Sequence, residues 1–270
     1  MAKKPVLPMR NVSNYGWTPD LPDVRDHLYK AKYGAQKLMP PKADLTSTAG
    51  YFDCYDQGEL GSCTGNALAG ALEYNALVQS APLAECPSRL FIYYGERVIE
   101  GTIKSDAGAQ IRDGIKVVAK GVPTESAWPY DITQFAKTPP KTAYDNATDI
   151  AVSYKRLTRD SKLSQFRAIL GVDGRPFAFG FTVYESFETD TVAQTGVVPM
   201  PDPSEAVVGG HAVLAVGYDD SQSLVKVRNS WGVDWGDKGH FYLPYAYFTA
   251  RGLSGDFWAI NATTNAVAAK

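Results

Sequence analysis

The first half of the chain shows the periodic apolar spacing of helices. Neither proline nor a β-branched residue interrupts residues 65–77, where apolar positions recur at near-helical intervals. Similar spacing returns twice, so the pattern predicts helices over residues 63–78, 88–98 and 111–120. Ser88 is placed to cap the start of the second helix, and Gly121 to cap the end of the third.

After about residue 150 the pattern changes to short runs rich in β-branched and aromatic residues. These runs predict strands over residues 150–154, 176–184, 211–218, 224–227 and 240–243, with one short helix over residues 162–170. Helices first and strands later indicate an α+β protein. Two prolines and small polar residues mark residues 137–149 as a linker or surface excursion.

Residues 1–38 are punctuated by prolines, and most of them show neither a helical nor a strand period. A short helix is predicted only over residues 23–33. The sequence Tyr-Gly-Trp-Thr-Pro at residues 15–19 is aromatic, yet its surroundings lack the periodicity needed to build a core. These apolar side chains therefore need a surface elsewhere to cover.

The composition is that of an ordinary globular protein, with 270 residues, of which 44% are hydrophobic and 21% charged. The net charge of −2 gives no reason to expect nucleic acid or an anionic membrane as a partner. No run approaches the ~18 consecutive apolar residues typical of a membrane-spanning helix. The basic N-terminus lacks the apolar region of a secretory signal, so a cytoplasmic location and export by another route both stay open.

The candidate chemistry starts at Cys63, which follows a turn-rich loop and begins the first predicted helix. At a helix N-terminus the unpaired backbone N–H groups and the helix dipole favour a negative charge. A thiol there is expected to have its thiolate favoured, which makes it a better nucleophile. The alternative is that Cys63 is a small buried apolar residue.

Two later stretches carry polar residues that suit a cysteine nucleophile. Residues 209–218 contain His211 after a glycine pair, and residues 227–236 contain Asn229 before Ser-Trp-Gly. Together with the Gly-Ser-Cys sequence at residues 61–63, they resemble the papain/cathepsin family of cysteine proteases. The chain order of cysteine, histidine and asparagine is also the order that this family uses.

The surroundings of the cysteine depart from the family pattern at two positions. Leu60 stands where the family has another cysteine, and Thr64 stands where it has an aromatic residue. If Cys63 is the nucleophile, Cys54 and Cys86 remain, and whether they form a disulfide stays open. The low cysteine usage favours a reducing compartment or a bacterial-type enzyme.

The resemblance implies catalytic roles for four residues. Cys63 would attack the peptide carbonyl, and His211 would take the thiol proton and later donate it to the leaving amine. Asn229 would orient the imidazole, and Gln57 would stabilise the oxyanion together with the Cys63 backbone N–H. The alternatives are a packed core histidine, a turn asparagine and a solvated loop glutamine.

The resemblance also implies substrate contacts. Gly108 and Ala109 correspond to a Gly-Gly edge that pairs with extended substrate backbone, although the alanine departs from that pattern. Gly210 is a further expected substrate contact, and Trp231 is expected to cover the imidazole–amide hydrogen bond. Neither a cofactor nor a metal ion is expected.

The fold implied by the resemblance is papain-like, with a helical left lobe, an antiparallel β-barrel-like right lobe and the active-site cleft between them. The chain divides accordingly into an N-terminal extension (residues 1–38), a mainly helical lobe (residues 39–150) and a mainly β lobe (residues 151–270). We expect the extension to be a short propeptide that inhibits the enzyme by lying in the cleft. The alternative is a peripheral tail.

The function implied is that of a papain-like cysteine endopeptidase that acts on peptide or protein substrates through an acyl-enzyme intermediate, as a monomer. One alternative is an exopeptidase or acyl-transfer enzyme on the same scaffold. Another is a non-catalytic peptide-binding homologue. The enzyme is favoured because all four catalytic positions are filled, and function resides in the site rather than in the fold.

Overall fold

A computed structural model describes residues 15–31, 34–79, 83, 85–160 and 163–265. Its helices are α1 (Ala35–Leu38), α2 (Cys63–Val78), α3 (Arg89–Glu100), α4 (Ile111–Val118), α5 (Lys141–Asp145), α6 (Ser164–Gly171), α7 (Asp190–Thr195) and α8 (Tyr245–Thr249). Its strands are β1 (Lys42–Asp44), β2 (Asp149–Arg156), β3 (Phe177–Tyr184), β4 (Val207–Asp219), β5 (Leu224–Arg228), β6 (His240–Pro244) and β7 (Ser254–Asn265). The longer helices precede β2 and most strands follow it, which confirms the α+β class.

The strands form one seven-stranded antiparallel sheet. Their order is β2-β7-β3-β4-β5-β6, and β1 pairs with β4 where β3 ends. Within the described chain no pairing joins the edge strands β2 and β6, so the sheet is open and does not close into a barrel. The physical reason is that the outer sides of β2 and β6 form isolated bridges with Leu28 and Val197, so each edge is occupied by another segment and not by the other edge strand.

Helix α2 is the centre of the packing. Nearly all of its residues are buried, as expected for a helix that is apolar on all sides. It packs against α3 and α4 and against the sheet strands β4 and β7. A Cβ on Gly65 would lie 2.7 Å from the carbonyl oxygen of Arg89, so only glycine lets α2 and α3 come this close. The first residue of α2, Cys63, is thereby fixed between the helices and the sheet.

Several predicted elements are confirmed. α2 begins at Cys63, and α3 begins after Ser88, whose Oγ accepts a hydrogen bond from the Phe91 N–H at 3.2 Å. The five predicted strands correspond to β2, β3, β4, β5 and β6, and the predicted short helix corresponds to α6. The start of that prediction, residue 162, lies outside the described residues.

The end of the third helix was predicted wrongly. α4 ends at Val118 with Ala119 as its C-cap, so Gly121 lies beyond the helix. Its φ of +118° and the 2.4 Å that would separate a Cβ from the Ala147 carbonyl oxygen are what require glycine there.

Three other segments also differ from prediction. In place of the helix predicted over residues 23–33, residues 23–31 form a turn and a bridge between Leu28 and Arg156, and residues 32–33 lie outside the described residues. The predicted linker contains the short helix α5, and β1 and β7 were not predicted at all. Among the residues that the structure describes, no helix has the length and apolar character needed to cross a membrane.

Candidate active site

Cys63 lies at the start of α2 and is fully buried. Its Sγ accepts a hydrogen bond from the backbone N–H of Ala212 at 3.3 Å, and that residue follows His211 in β4. The helix therefore brings the thiol to the strand that carries the histidine. This is the contact between the helical part of the chain and the sheet that the two-lobe prediction required.

The imidazole of His211 is held in one orientation. Its Nε2 lies 2.8 Å from Asn229 Oδ1, and the Ser230 backbone N–H donates to the same oxygen at 2.8 Å. The bond from the Ser230 N–H identifies this atom as the amide oxygen, which can only accept hydrogen bonds. Nε2 must therefore be the donor, and it carries the ring proton. The other ring nitrogen, Nδ1, then carries the lone pair of the imidazole.

Aromatic rings surround this hydrogen bond. The ring of Trp231 stacks on the imidazole of His211 at 5.1 Å and 25°, and Phe181 contacts the imidazole edge-on at 5.8 Å. Both Trp231 and Asn229 are buried. Exclusion of water strengthens the imidazole–amide hydrogen bond, because the local dielectric constant is low.

Gln57 lies in the loop before α2 and is also buried. Its Oε1 accepts from the Ser230 hydroxyl, and its Nε2 donates to the Leu60 carbonyl oxygen at 2.8 Å. The Gln57 backbone N–H donates to the Ser230 carbonyl oxygen at 2.9 Å. Because an amide nitrogen carries two protons, one N–H of Nε2 stays available for a reacting group.

The two predicted substrate edges contact a segment of the chain itself. The backbone N–H of Ala109 donates to the Gly16 carbonyl oxygen at 2.7 Å, and the carbonyl oxygen of Ala109 accepts from the Thr18 N–H at 3.1 Å. On the other side, Trp17 N–H donates to the Gly210 carbonyl oxygen at 2.8 Å. Residues 15–18 therefore lie in extended form between the two edges.

Glycine is required where this segment approaches most closely. A Cβ on Gly108, which has a φ of +72°, would lie 2.3 Å from the Gly16 carbonyl oxygen. A Cβ on Gly16 would in turn lie 1.7 Å from the carbonyl oxygen of Gly61. Glycines on both surfaces thus let backbone lie directly against backbone beside Cys63.

The indole of Trp17 occupies a slot formed by three glycines. A Cβ on Gly180 would lie 1.9 Å from the indole, and the nearest atoms to a Cβ on Gly210 or Gly255 also belong to Trp17. At the end of the slot, Trp17 Nε1 donates to Asp256 Oδ2 at 3.2 Å. We call this feature the indole slot.

Burial of Cys63 beneath residues 15–18 reverses the predicted effect of the helix N-terminus, which was to favour the thiolate. Burial raises the pKa of Cys63 to about 12, although hydrogen bonds from the backbone of Ala212, Gly16 and Thr64 oppose that rise. The expectation of a favoured thiolate at the helix N-terminus is therefore wrong for this covered state. The free energy lost when the thiolate is removed from water exceeds the stabilisation that the helix N-terminus provides.

The other two cysteines lie apart in the structure. Cys54 is buried, with its Sγ 3.7 Å from His240 Nε2, whereas Cys86 is partly exposed. All three cysteines are free, so the open question of a Cys54–Cys86 disulfide is answered in the negative for this structure. Within the described part of the chain, no cluster of His, Cys, Asp and Glu side chains could hold a metal ion.

Some residues around the site escaped the sequence interpretation. The aromatic character of residues 15–19 was a usable signal, and it did indicate a segment in need of a surface. Gly180 and Asp256 gave no signal, because their position depends on how β3 pairs with β7. Ser230 gave only a weak one, as a polar residue beside the candidate asparagine.

Comparison with known proteins agrees with the geometry. Residues 39–251 match the family described as papain family cysteine protease. A peptidase C1-like protein of Acanthamoeba polyphaga mimivirus is 39% identical over 276 residues, covering 94% of this chain and 88% of that protein. The thiol protease aleurain of Arabidopsis thaliana is 30% identical over 207 residues, which span 70% of this chain but only 51% of aleurain.

Solved structures share the fold. Xylellain, a cysteine protease from Xylella fastidiosa, has a TM-score of 0.82 and 40% identity, with 92% of this chain and 96% of that chain covered. A procathepsin B from Trypanosoma congolense has a TM-score of 0.73 over 95% of this chain and 88% of that one; at 15% identity this shows the fold alone. The papain-like fold is confirmed, and the chain belongs to the papain family of cysteine proteases.

Proposed function

We propose that this cysteine peptidase works with Cys63 as nucleophile, His211 as general base and acid, and Asn229 as the residue that orients the imidazole. The observation that carries the proposal is the convergence of three separate elements. The thiol of α2 lies against the backbone next to His211 in β4, and the imidazole is bonded to the asparagine that follows β5. Acyl transfer requires this combination of nucleophile, base and orienting group.

The position of the proton on His211 supports a two-step reaction. Since Nε2 of His211 is bonded to Asn229, the thiol proton of Cys63 passes to Nδ1. The thiolate then attacks the peptide carbonyl carbon, the C–N bond breaks, and Nδ1 returns the proton to the leaving amine. Water next loses a proton to Nδ1 and attacks the thioester, which releases the acid and restores the thiol.

The oxyanion that forms during both steps needs hydrogen-bond donors that are already in position. Gln57 Nε2 has one N–H beyond its bond to Leu60, and the amide cannot rotate freely because Ser230 holds its oxygen. The Cys63 backbone N–H at the start of α2 is the second donor. Such fixed donors stabilise the transition state because they need no reorganisation as charge develops.

Replacement of Gln57 by alanine is expected to lower kcat by about 10²-fold with little change in KM, because one oxyanion donor is lost and the other remains. Steady-state kinetics on a peptide amide substrate would measure this. Gln79→Ala is the matched control, since Gln79 bonds to the far end of α2 and to Thr263. A change confined to KM in the Gln57 variant would contradict the oxyanion role.

The path of residues 15–18 favours an endopeptidase. The ring of Tyr15 lies near His211 and Trp231, at 5.9 and 6.2 Å, whereas Trp17 lies on the far side of Cys63 in the indole slot. A continuous chain therefore crosses the nucleophile and continues in both directions. An exopeptidase needs a cleft that is closed at one end.

The test uses peptides that are acetylated at the N-terminus and amidated at the C-terminus. An endopeptidase cleaves them internally, and mass spectrometry of early products identifies the position. If cleavage occurs only when one terminus is free, the enzyme is an exopeptidase. If the products appear joined to an added amine rather than to water, the enzyme is an acyltransferase.

We also infer that residues 1–38 inhibit the enzyme through residues 15–18. The backbone N–H of Gly16 donates to the Cys63 thiol, and the Gly16 carbonyl is turned away to Ala109. The thiol therefore contacts an N–H donor at this residue and not a carbonyl carbon that it could attack. An extended segment held in this way blocks the cleft without presenting a scissile bond.

A buried charge cluster anchors the same segment to the enzyme body. Arg112 contacts Asp26 at 2.7 Å and Asp20 at 3.9 Å, and Arg156 contacts Asp26 at 2.5 Å and Asp256 at 3.0 Å. Three carboxyl groups thus share two guanidinium groups. One negative charge is in excess, so the cluster has a reason to hold a proton.

The pKa shifts give docking of the segment a definite pH dependence. Burial, and then the charge of Asp20, raise the pKa of Asp256 to about 6, and burial raises the pKa of Asp20 as well. Docking therefore takes up protons, and this contribution is lost as the pH rises through about 6. Burial acts in the same direction on Asp26, but hydrogen bonds from Arg112 and Arg156 lower its pKa overall, so its contribution is lost in more acidic solution.

Inhibition by the segment is expected to be about tenfold stronger at pH 5 than at pH 7.5, from the proton taken up by Asp256 alone. The measurement is kcat/KM of a variant that cannot dock, Gly16→Val, divided by that of the unaltered chain at each pH. Asp256→Asn should flatten this ratio between the two pH values. Stronger inhibition at pH 7.5 than at pH 5 would contradict the assignment.

A further inference from the structure

Arg89, the first residue of α3, is buried although it is charged and lies outside the proposed triad. Its guanidinium forms a two-pronged pair with Glu125, at 2.6 and 3.3 Å, which neutralises its charge. The rings of Tyr130 and Tyr55 lie on it, with centroids at 4.0 and 4.7 Å. Removing a charged group from water is unfavourable, so the contacts of Arg89 must offset this desolvation free energy.

The remaining N–H group of this guanidinium reaches the two segments that flank the oxyanion donors. Nη1 donates to the carbonyl oxygen of Asp56, the residue before Gln57, at 3.1 Å. It also donates to Asn66 Oδ1 at 3.1 Å. Asn66 in turn donates from Nδ2 to the carbonyl and hydroxyl oxygens of Ser62, at 3.0 and 3.1 Å.

Tyr130, which stacks on the guanidinium, completes the connection. Its hydroxyl donates to the Gln57 carbonyl oxygen at 2.9 Å and is hydrogen-bonded to the hydroxyl of Ser62. Ser62 is the residue before Cys63. The side chain of Arg89 is therefore joined to both ends of the loop that carries Gln57 and the Cys63 backbone N–H, directly at Asp56 and through Asn66 at Ser62.

We propose that Arg89 is a positioning residue that holds the two oxyanion donors, Gln57 Nε2 and the Cys63 backbone N–H, at their working separation. The proposal rests on the oxyanion role given to Gln57 above. Arg89 does not touch the substrate; it fixes the loop through Asp56, Asn66 and Tyr130. A displacement of about 1 Å at a reacting centre is enough to cost on the order of 10² in rate.

The geometry requires arginine and not only a positive charge. The planar guanidinium pairs with both oxygens of Glu125, lies between two rings and still has an N–H group for Asp56 and Asn66. A lysine ammonium is a point charge with no flat face, so it cannot make these contacts at once. Arg89→Lys is therefore expected to lower kcat as Arg89→Met does, and not to preserve it.

The test compares Arg89→Met, Arg89→Lys and a matched control, Arg175→Met, in the full chain. Arg175 is a partly buried arginine that bonds to the carbonyl and Oδ1 of Asn75 at the far end of α2, at 3.3 and 2.7 Å, and so contacts the same helix away from the oxyanion donors. Rates are expressed per active site, titrated with an irreversible thiol reagent. Both Arg89 variants should lose about 10- to 100-fold in kcat with KM within about twofold, whereas Arg175→Met should keep its kcat.

A second measurement separates positioning from plain stability. In a Gln57→Ala background, Arg89→Met should cost less than it does alone, because one of the two donors that it positions is already gone. An equal loss in both backgrounds, or an equal loss in Arg175→Met, overturns the proposal. If Arg89→Met does not fold, Tyr130→Phe removes only the hydroxyl contacts and should show the same dependence on Gln57.

The outcomes also distinguish this inference from the proposed function. An unchanged kcat in Gln57→Ala contradicts the oxyanion role itself. A lowered kcat in Gln57→Ala together with an unchanged kcat in both Arg89 variants overturns only the positioning role of Arg89.

Discussion

Replacement of Cys63 by alanine is expected to abolish peptide hydrolysis, with a loss of kcat on the order of 10⁶. The reason is that the covalent path disappears, since no other thiol lies beside His211. Cys54 is packed against His240, and Cys86 lies elsewhere at the surface. The fold should persist, because alanine keeps the helix start and only one sulfur atom is removed from a buried position.

The measurement is single-turnover and steady-state hydrolysis of a fluorogenic peptide amide, with circular dichroism to confirm folding. Cys86→Ala is the matched control and should keep wild-type kcat, because its thiol contacts the backbone of Pro87 and the side chain of Tyr55 and not the triad. Labelling with an epoxide thiol reagent should modify one residue in the wild type and none in Cys63→Ala. Substantial hydrolysis by Cys63→Ala would show that the nucleophile has been misassigned.

The parts of the fold that could be predicted are those with local signals. α2 is an uninterrupted apolar run, and α3 carries its own N-cap in Ser88. β7 could not be predicted, since it begins with Ser-Gly-Asp and ends in small polar residues. It is a strand because β2 and β3 pair with it on both sides, and such partners lie far away in the sequence.

The candidate site divides in the same way. Cys63, His211 and Asn229 could be named because each stands in a recognisable stretch, and the set as a whole is specific. The indole slot could not be, because Trp17 and Asp256 come from opposite ends of the chain. The same holds for Arg89, whose charge in an otherwise ordinary helix gave no hint of a link to the oxyanion donors.

The protonation state of the thiol shows most clearly what sequence reasoning lacks. A helix N-terminus by itself favours the thiolate, and that local argument is sound. The covering segment adds a desolvation cost that the local argument cannot contain, and the pKa of Cys63 rises to about 12. The resting state of the full chain is thus defined by a contact between residues 15–18 and a cleft built from distant elements.

Undocking of that segment is expected to raise kcat/KM of the full chain by about 10²- to 10³-fold, since docking packs the partly buried Trp17 against the core and adds three backbone hydrogen bonds to Ala109 and Gly210. Gly16→Val is the sharpest way to cause it, because a Cβ there would lie 1.7 Å from the Gly61 carbonyl oxygen. A chain beginning at Met39 is a poorer choice, because it also lacks Tyr29 and Ala35, which are buried in the core.

Two measurements on the Gly16→Val variant test this autoinhibition. Gly16→Val should hydrolyse small peptides faster, and its Cys63 should be alkylated faster, because the thiol becomes accessible to solvent and its pKa falls once burial ends. Val24→Ala is the control, since Val24 belongs to the same segment but is fully exposed. A synthetic peptide of residues 1–38 should slow the variant again. Equal rates for Gly16→Val and the unaltered chain, with both well folded, would mean that residues 15–18 leave the cleft by themselves and that the segment does not inhibit.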